Sequence, residues 1–401
     1  MSDPPDPTNT LSRRLNLPLL TIFGLGTMVG AGIYVLIGEI LLVSGSFAAW
    51  AFVAAAVVAG FTARSYGELA SHYPQSAGEA VYVDRAFSRP LLTRLTGWAV
   101  VLTGLVSSGT LANGFAGYLA YFHPGAEGIA ATGFILVLGV IAAWGIGYTA
   151  WFAAAITAAS LFGLVAVLAM SGRYLANLPD VWPTMMPTTT DAWLAITLGA
   201  FVAFYAFIGF EDMVNLAEET REPERIMSPA IIIALIVAAV LYVLVATAAV
   251  LANRELDLAG HSAPLAAMVS HTGTRWPAII AVLSMLSVTN SALAQIVMVS
   301  RVVYGMAKEG NAPAVLATVH PKRHTPLLST VLTVLVIVLL ATWFPLLTLA
   351  KATSFIILVV FILINLSLIR LKLAGRIRRR GIWIPATGAL LSLALIVMSL
   401  V

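Results

Sequence analysis

The chain has 401 residues, of which 60% are hydrophobic and 10% charged. Soluble domains carry about 25% charged residues, so a water-soluble fold is excluded, and a net charge of +4 spread along the chain is no nucleic-acid footprint. No cysteine occurs, which removes disulfides, thiol catalysis and cysteine-bound metal. In chain order, a polar, proline-containing tail (1–16) precedes the first apolar segment and lacks the pattern of a cleavable signal. About eleven stretches then reach the roughly 20 apolar residues that a spanning helix needs. They fall at 17–43, 46–70, 91–121, 128–147, 149–171, 192–217, 229–252, 276–305, 327–345, 347–371 and 382–401.

The first stretch holds TIFGLGTMVGAGIYVLIGE (Thr21–Glu39), with Gly24, Gly26, Gly30 and Gly32 at its centre. Glycine weakens a helix by about 1 kcal/mol relative to alanine, so the cluster predicts a helix broken at mid-membrane. Broken backbone survives there only inside protein or beside a water-filled cavity. Small residues four apart, as Gly26 and Gly30 are, equally suit close helix packing, and the two readings stay open.

The sixth stretch, AFYAFIGFEDMVNLAEE, places Gly209 just before Glu211 and Asp212. Acids within an apolar segment are costly and mark a site by default. The alternative is a helix restarting near Gly209, whose first turn favours negative charge. Spans one and six lie five helices apart and cross in opposite directions. That arrangement predicts inverted five-helix repeats, 17–171 and 192–371, meeting at a midplane site. The last segment, 382–401, is expected to be peripheral.

Eighteen of the 22 lysines and arginines fall on one side of this topology, which puts the N-terminus in the cytoplasm. The segments Tyr66–Phe87, Glu218–Ala230 and Arg301–Pro326 join spans on that side. There Glu218 and Glu219 are expected to form ion pairs with arginines on that side (Arg64, Arg85, Arg225 or Arg301), each pair contributing about 0–1 kcal/mol. All six histidines (His72, His123, His261, His271, His320, His324) fall in loops. No metal-ligand spacing or acid–base constellation lies within the spans, so an enzyme is not expected and no cofactor is implied.

GTMVGAGIYVLIGE in span one, FYAFIGFED with EETREPERIMSPA after span six, and RVVYGMAKEGNAP…HPKRHTP after span eight together resemble the amino acid–polyamine–organocation superfamily of permeases. The likeness is to its branch of cationic amino acid transporters and their bacterial relatives, and it runs from about Leu17 to Arg370. It implies an all-α, leucine-transporter-type fold of the bacterial inner membrane, working by alternating access around an occluded amino acid. Family members usually carry a twelfth span, which leaves any dimer contact through such a helix unassigned here.

On that resemblance, amides at Val29, Gly30, Ala31 and Gly32 would take the substrate carboxylate. Carbonyls at Ile22–Gly26, with Thr27 beside them, and at Phe204–Phe207 before Gly209, would hold its ammonium. Phe204, Tyr205 and Phe207 would form an aromatic lid, with Tyr205 and Phe207 as the gate. Ser107, Ser108 and Asn113, with Thr103 and Thr110, are the selectivity candidates on span three.

Span three offers no acid, which favours a neutral amino acid. Glu211, Asp212 or the more outlying Glu39 would be the counter-ion were the substrate cationic or a polyamine. The coupling ion is a proton at Glu211, or sodium held by Gly26 and Val29 with Ser287, Thr289 or Ser291; exchange without an ion is the third option. Asn290 and Gln295 are expected to bond between helices. Uptake, export and oligomeric state are left open, and membrane lipid is the other expected partner, drawn in part by the basic run Arg376–Arg380.

Overall fold

The computed structural model describes residues 13, 15–75, 78–144, 150–320, 323 and 325–400. Nearly all of the expected tail 1–16, together with Arg14, Lys322 and His324, lies outside them. The first helices are α1 (Leu17–Ala31), α2 (Ile33–Ser44), α3 (Ala48–His72), α4 (Gly78–Phe87) and α5 (Pro90–Ala120). There follow α6 (Glu127–Trp144), α7 (Ala150–Met170), α8 (Leu178–Met185) and α9 (Thr190–Ala203). The rest are α10 (Pro223–Leu256), α11 (Pro264–Met268), α12 (Arg275–Lys308), α13 (Leu327–Trp343), α14 (Leu346–Leu373) and α15 (Trp383–Ser399). Between α9 and α10 the chain winds tightly through Phe204–Phe207 and again through Glu211–Glu219.

Among the described residues eight helical runs are long and apolar enough to cross a membrane, and three shorter apolar helices accompany them. Each apolar stretch of the sequence meets a helix. At 44–45, where two stretches were separated, α2 ends and a short turn through Gly45–Phe47, with Gly45 at φ +52°, leads into α3.

The core forms where α1 packs against α7, α10 and α12, while α3 lies on α9 and α10 and α5 on α12 and α14. Aromatic rings fill the centre: Tyr66 meets Phe210 at 5.6 Å and Phe361 at 5.4 Å between centroids, and Phe207 meets Tyr242 at 5.2 Å. Aromatic contacts of this kind add about 0.5–1.5 kcal/mol each beyond burial.

Specific polar ties join helices inside the bundle. Asn365 on α14 accepts from Ser65 Oγ at 2.7 Å and donates to Thr62 Oγ1 at 2.9 Å, binding α14 to α3. Leucine at position 365 strips both partners in the buried interior; we expect it to cost about 2 kcal/mol, read as a lower melting temperature in detergent. Near the α1 start, Leu15 exchanges backbone bonds with Glu219 O (3.0 Å) and Arg221 N (2.8 Å), so the chain ahead of α1 is strapped to the end of the Glu211–Glu219 turn. Across this face Arg225 pairs with Glu222 at 3.2 Å and Arg64 donates to Ser228 Oγ at 3.0 Å.

Candidate functional site

The two interruptions predicted for spans one and six meet in space, but they are unequal. Span six breaks fully. After Phe204–Phe207 the backbone turns at Gly209, where φ is +123°, a region that L side chains rarely adopt. Its N–H donates to Glu211 Oε2 at 2.8 Å, so Glu211 caps the turn it follows.

Span one is interrupted at one residue only. The unwinding expected across Gly24–Gly32 is corrected: α1 continues to Ala31, and only Gly32 separates it from α2. The carbonyls of Ile22–Gly26 are therefore inside an intact helix, which directs them to amides four residues on. Even Gly32 keeps partners, donating to Met28 O at 3.3 Å and accepting from Leu36 N at 2.9 Å.

The glycines admit neighbours instead. A Cβ on Gly24 would strike Met213, one on Gly26 would strike Thr157, and one on Gly30 would strike Ser291 and lie 2.6 Å from the Ser287 carbonyl. On Gly32 it would run into the Cα of Ala206, in the middle of the second interruption. Packing explains the first three, and backbone-to-backbone contact between the two breaks explains the fourth.

Thr27 fastens the pair. Its hydroxyl lies 3.0 Å from Gly209 O and 2.9 Å from Gly24 O, linking α1 to the span-six turn. Tyr205 is fully buried, and its hydroxyl lies 2.9 Å from Ser107 Oγ and donates to Ser107 O at 3.2 Å. Phe207 packs edge-on against Phe52 and tilted against Tyr242; Phe204 meets Phe361. On α12, the buried hydroxyls of Ser287 and Ser291 have no partner, and neither has Asn290 Oδ1. The Ser291 hydroxyl and the Ser287 backbone carbonyl lie against Gly30.

Not every candidate joins this assembly. Ser108 spends its hydroxyl on Gly104 O at 2.8 Å, and Thr289 on Met285 O at 2.7 Å. Asn113 is half-buried and donates to Phe344 O at 3.1 Å, at the junction of α13 and α14. One residue goes unmarked by the sequence reading. Glu79, from the segment between spans two and three, is buried beside Glu211 and Asp212. Gln295 Nε2 donates to Asp212 Oδ2 at 3.3 Å. The signal for Glu79 was present: Glu79, Tyr82, Val83 and Ala86 follow the spacing of one buried helical face.

Replacing Tyr205 with phenylalanine removes the hydrogen bonds of its hydroxyl to Ser107 and Thr110. We expect this to cost about 1 kcal/mol of stability, read as a lower melting temperature in detergent.

The model of the amino acid permease family matches residues 15–401. The chain belongs to that family. An uncharacterized transporter of Mycobacterium tuberculosis is 31% identical over 382 residues, covering 94% of this chain and 84% of that protein. The branched-chain amino acid permease BcaP of Bacillus subtilis is 28% identical over 386 residues, covering 90% of this chain and 82% of its own length. The human cationic amino acid transporter 4 is 29% identical over 344 residues, covering 80% and 54%. These relatives are transporters rather than enzymes, and this permease is an integral membrane protein of the same kind.

Proposed function

We propose that this permease is a secondary active transporter that moves neutral amino acids by alternating access across a bacterial inner membrane, its N-terminus in the cytoplasm. Two inverted repeats, 17–171 and 192–371, would supply one broken helix each, with α15 at the periphery. The observation that carries the reading is the buried contact between the Gly32 interruption and Ala206, clasped by Thr27 on Gly209. A zwitterion needs donors for its carboxylate and acceptors for its ammonium. The start of α2, which has no side-chain cap, offers amides; the turn Phe204–Phe207 offers carbonyls. Tyr205 and Phe207 would close over the substrate.

The neutral preference rests on the acids. Glu211 is committed to Gly209 N and Asp212 to Gln295, so neither carboxylate faces the Gly32–Ala206 contact freely. A cationic substrate or polyamine is the second reading, favoured by the relatives named as cationic amino acid transporters. Sodium held by Ser287 and Ser291, whose hydroxyls lack partners, is the alternative to proton coupling. A thermal-shift panel of all common amino acids and polyamines tests the substrate class. A ligand at one hundred times its dissociation constant adds about 2.7 kcal/mol. Stabilisation by neutral amino acids supports the reading; stabilisation by lysine, arginine or polyamines alone replaces it.

A further inference from the structure

Three carboxylates from two distant parts of the chain line one small pocket beside the span-six turn. We propose that Glu79, Glu211, Asp212 and Gln295 form a proton-binding site, with Glu79 as the carboxylate that α4 contributes from outside the spans. As a coupling site it rests on the permease reading; as a proton site it stands on its own geometry.

The cavity is about 10 Å³ and is lined by Glu79, Glu211, Asp212 and Gln295 with Thr103, Met298 and other uncharged side chains of α5, α12 and α14. That is room for about one water-sized occupant, too little for a substrate side chain. Its polar lining is short of donors. Glu211 receives Gly209 N, Asp212 receives Gln295 Nε2, and Glu79 receives the Tyr66 hydroxyl at 3.5 Å. The Thr103 hydroxyl is already spent on Ala99 O at 2.9 Å, and no lysine or arginine lines the space.

Gln295 gives independent testimony. The residue is 9% exposed, and its Oε1 has no partner while its amide nitrogen serves Asp212. Turning the amide over only moves the shortage from Gln295 to Asp212. Unpaired acceptors buried together are costly, and a carboxylic acid O–H is the donor that relieves them without enlarging the cavity. Among the described residues no group of three or more His, Asp or Glu side chains is arranged to hold a metal ion, which directs the ligand choice to the proton.

The groups facing Glu79 are Tyr66 from α3, Tyr82 from its own helix, and Glu211 and Asp212 from the span-six turn; α5, α12 and α14 present no charge to it. Burial, with Asp212 adding to it, pushes the Glu79 carboxyl up to about 7. With the cluster deprotonated, α4 and the turn set like charges against each other; a shared proton removes that repulsion. The folded chain thus holds a proton that the unfolded chain releases. Stability contributed by Glu79 falls as pH rises from its ordinary value of 4.5 to about 7, and is level above.

Infrared difference spectroscopy of the purified full-length protein, titrated with acid and base, tests the site without any substrate. We expect a carboxylic acid C=O band that disappears as pH rises through about 7. Glu79→Gln should remove or shift it, Asp212→Asn should move its midpoint because the groups titrate together, and Glu79→Asp should retain a band with a changed midpoint. Exposed Glu127→Gln should leave it alone. In parallel, the melting temperature of Glu79→Gln should fall less with rising pH than that of the wild type. The proposal is overturned if no carboxyl band titrates near neutrality, or if Glu79→Gln, Glu211→Gln and Asp212→Asn all leave the band unchanged. A midpoint that moves with sodium concentration at fixed pH would give the cavity to a metal cation, overturning it equally. Loss of amino acid uptake with the infrared titration intact would count against the permease reading and leave the proton site standing.

Discussion

Gly32→Val should halt transport while leaving the protein able to insert and fold. The added Cβ meets the Cα of Ala206, which is backbone and cannot swing aside as a side chain would. Overpacking a buried contact costs about 1–3 kcal/mol, and this site belongs at the upper end. The penalty falls on the state in which α1 and α2 touch the span-six turn. A bias of about 3 kcal/mol against one of two states shifts their ratio roughly 150-fold, enough to stop a cycle that must pass through both. The checks are uptake in proteoliposomes and melting in detergent, with Gly133→Ala as control because a Cβ there meets nothing within 4 Å. Transport within twofold of wild type would mean that the Gly32–Ala206 contact is incidental.

The second large effect lies in the α3–α14 interface. Lys372 Nζ sits 2.7 Å from Glu68 Oε1, 2.9 Å from Oε2 and 2.8 Å from the Arg380 carbonyl, with the lysine side chain 2% exposed. These three bonds join α14 to α3 and fold the connection to α15 back onto both. Lys372→Met leaves Glu68 charged, largely buried and unpaired, and breaking a buried pair in this way costs about 3–5 kcal/mol. Removing both partners with apolar residues should recover most of that loss, since a buried pair is often no better than well-packed hydrocarbon. Melting of Lys372→Met, Glu68→Leu and the double variant checks this. A single-variant loss below about 1 kcal/mol would make the pair a surface contact in all but geometry.

The helices were legible because an apolar run of spanning length has few other uses, and all-helical backbone is what hydrocarbon demands. The span-six break was legible for a similar reason: Gly209 followed at once by Glu211 and Asp212 admits few arrangements inside an apolar segment. Span one was harder. Glycine serves both unwinding and close approach, and the sequence around Gly24, Gly26 and Gly30 does not say that Met213, Thr157 and Ser291 lie against them. Those neighbours come from three other elements, and only their positions decide between the readings. Asn113 looked like a pocket residue because it is polar within an apolar helix, yet its amide serves a carbonyl at the α13–α14 junction. Glu79 was passed over because its segment reads as a connection between spans. Pro74 and Gly78 are turn formers by type, and α4 begins at the second of them.

The central claim is that amino acids cross the membrane through the site where Gly32 meets Ala206 and Thr27 meets Gly209. Counterflow in proteoliposomes tests it most directly: vesicles preloaded with one unlabelled amino acid take up a trace of the same compound in labelled form. The account predicts accumulation with a neutral amino acid for the wild type, and none for Gly32→Val at equal protein content. An amino acid that binds the purified protein yet shows no counterflow, or equal counterflow through both proteins, would contradict it.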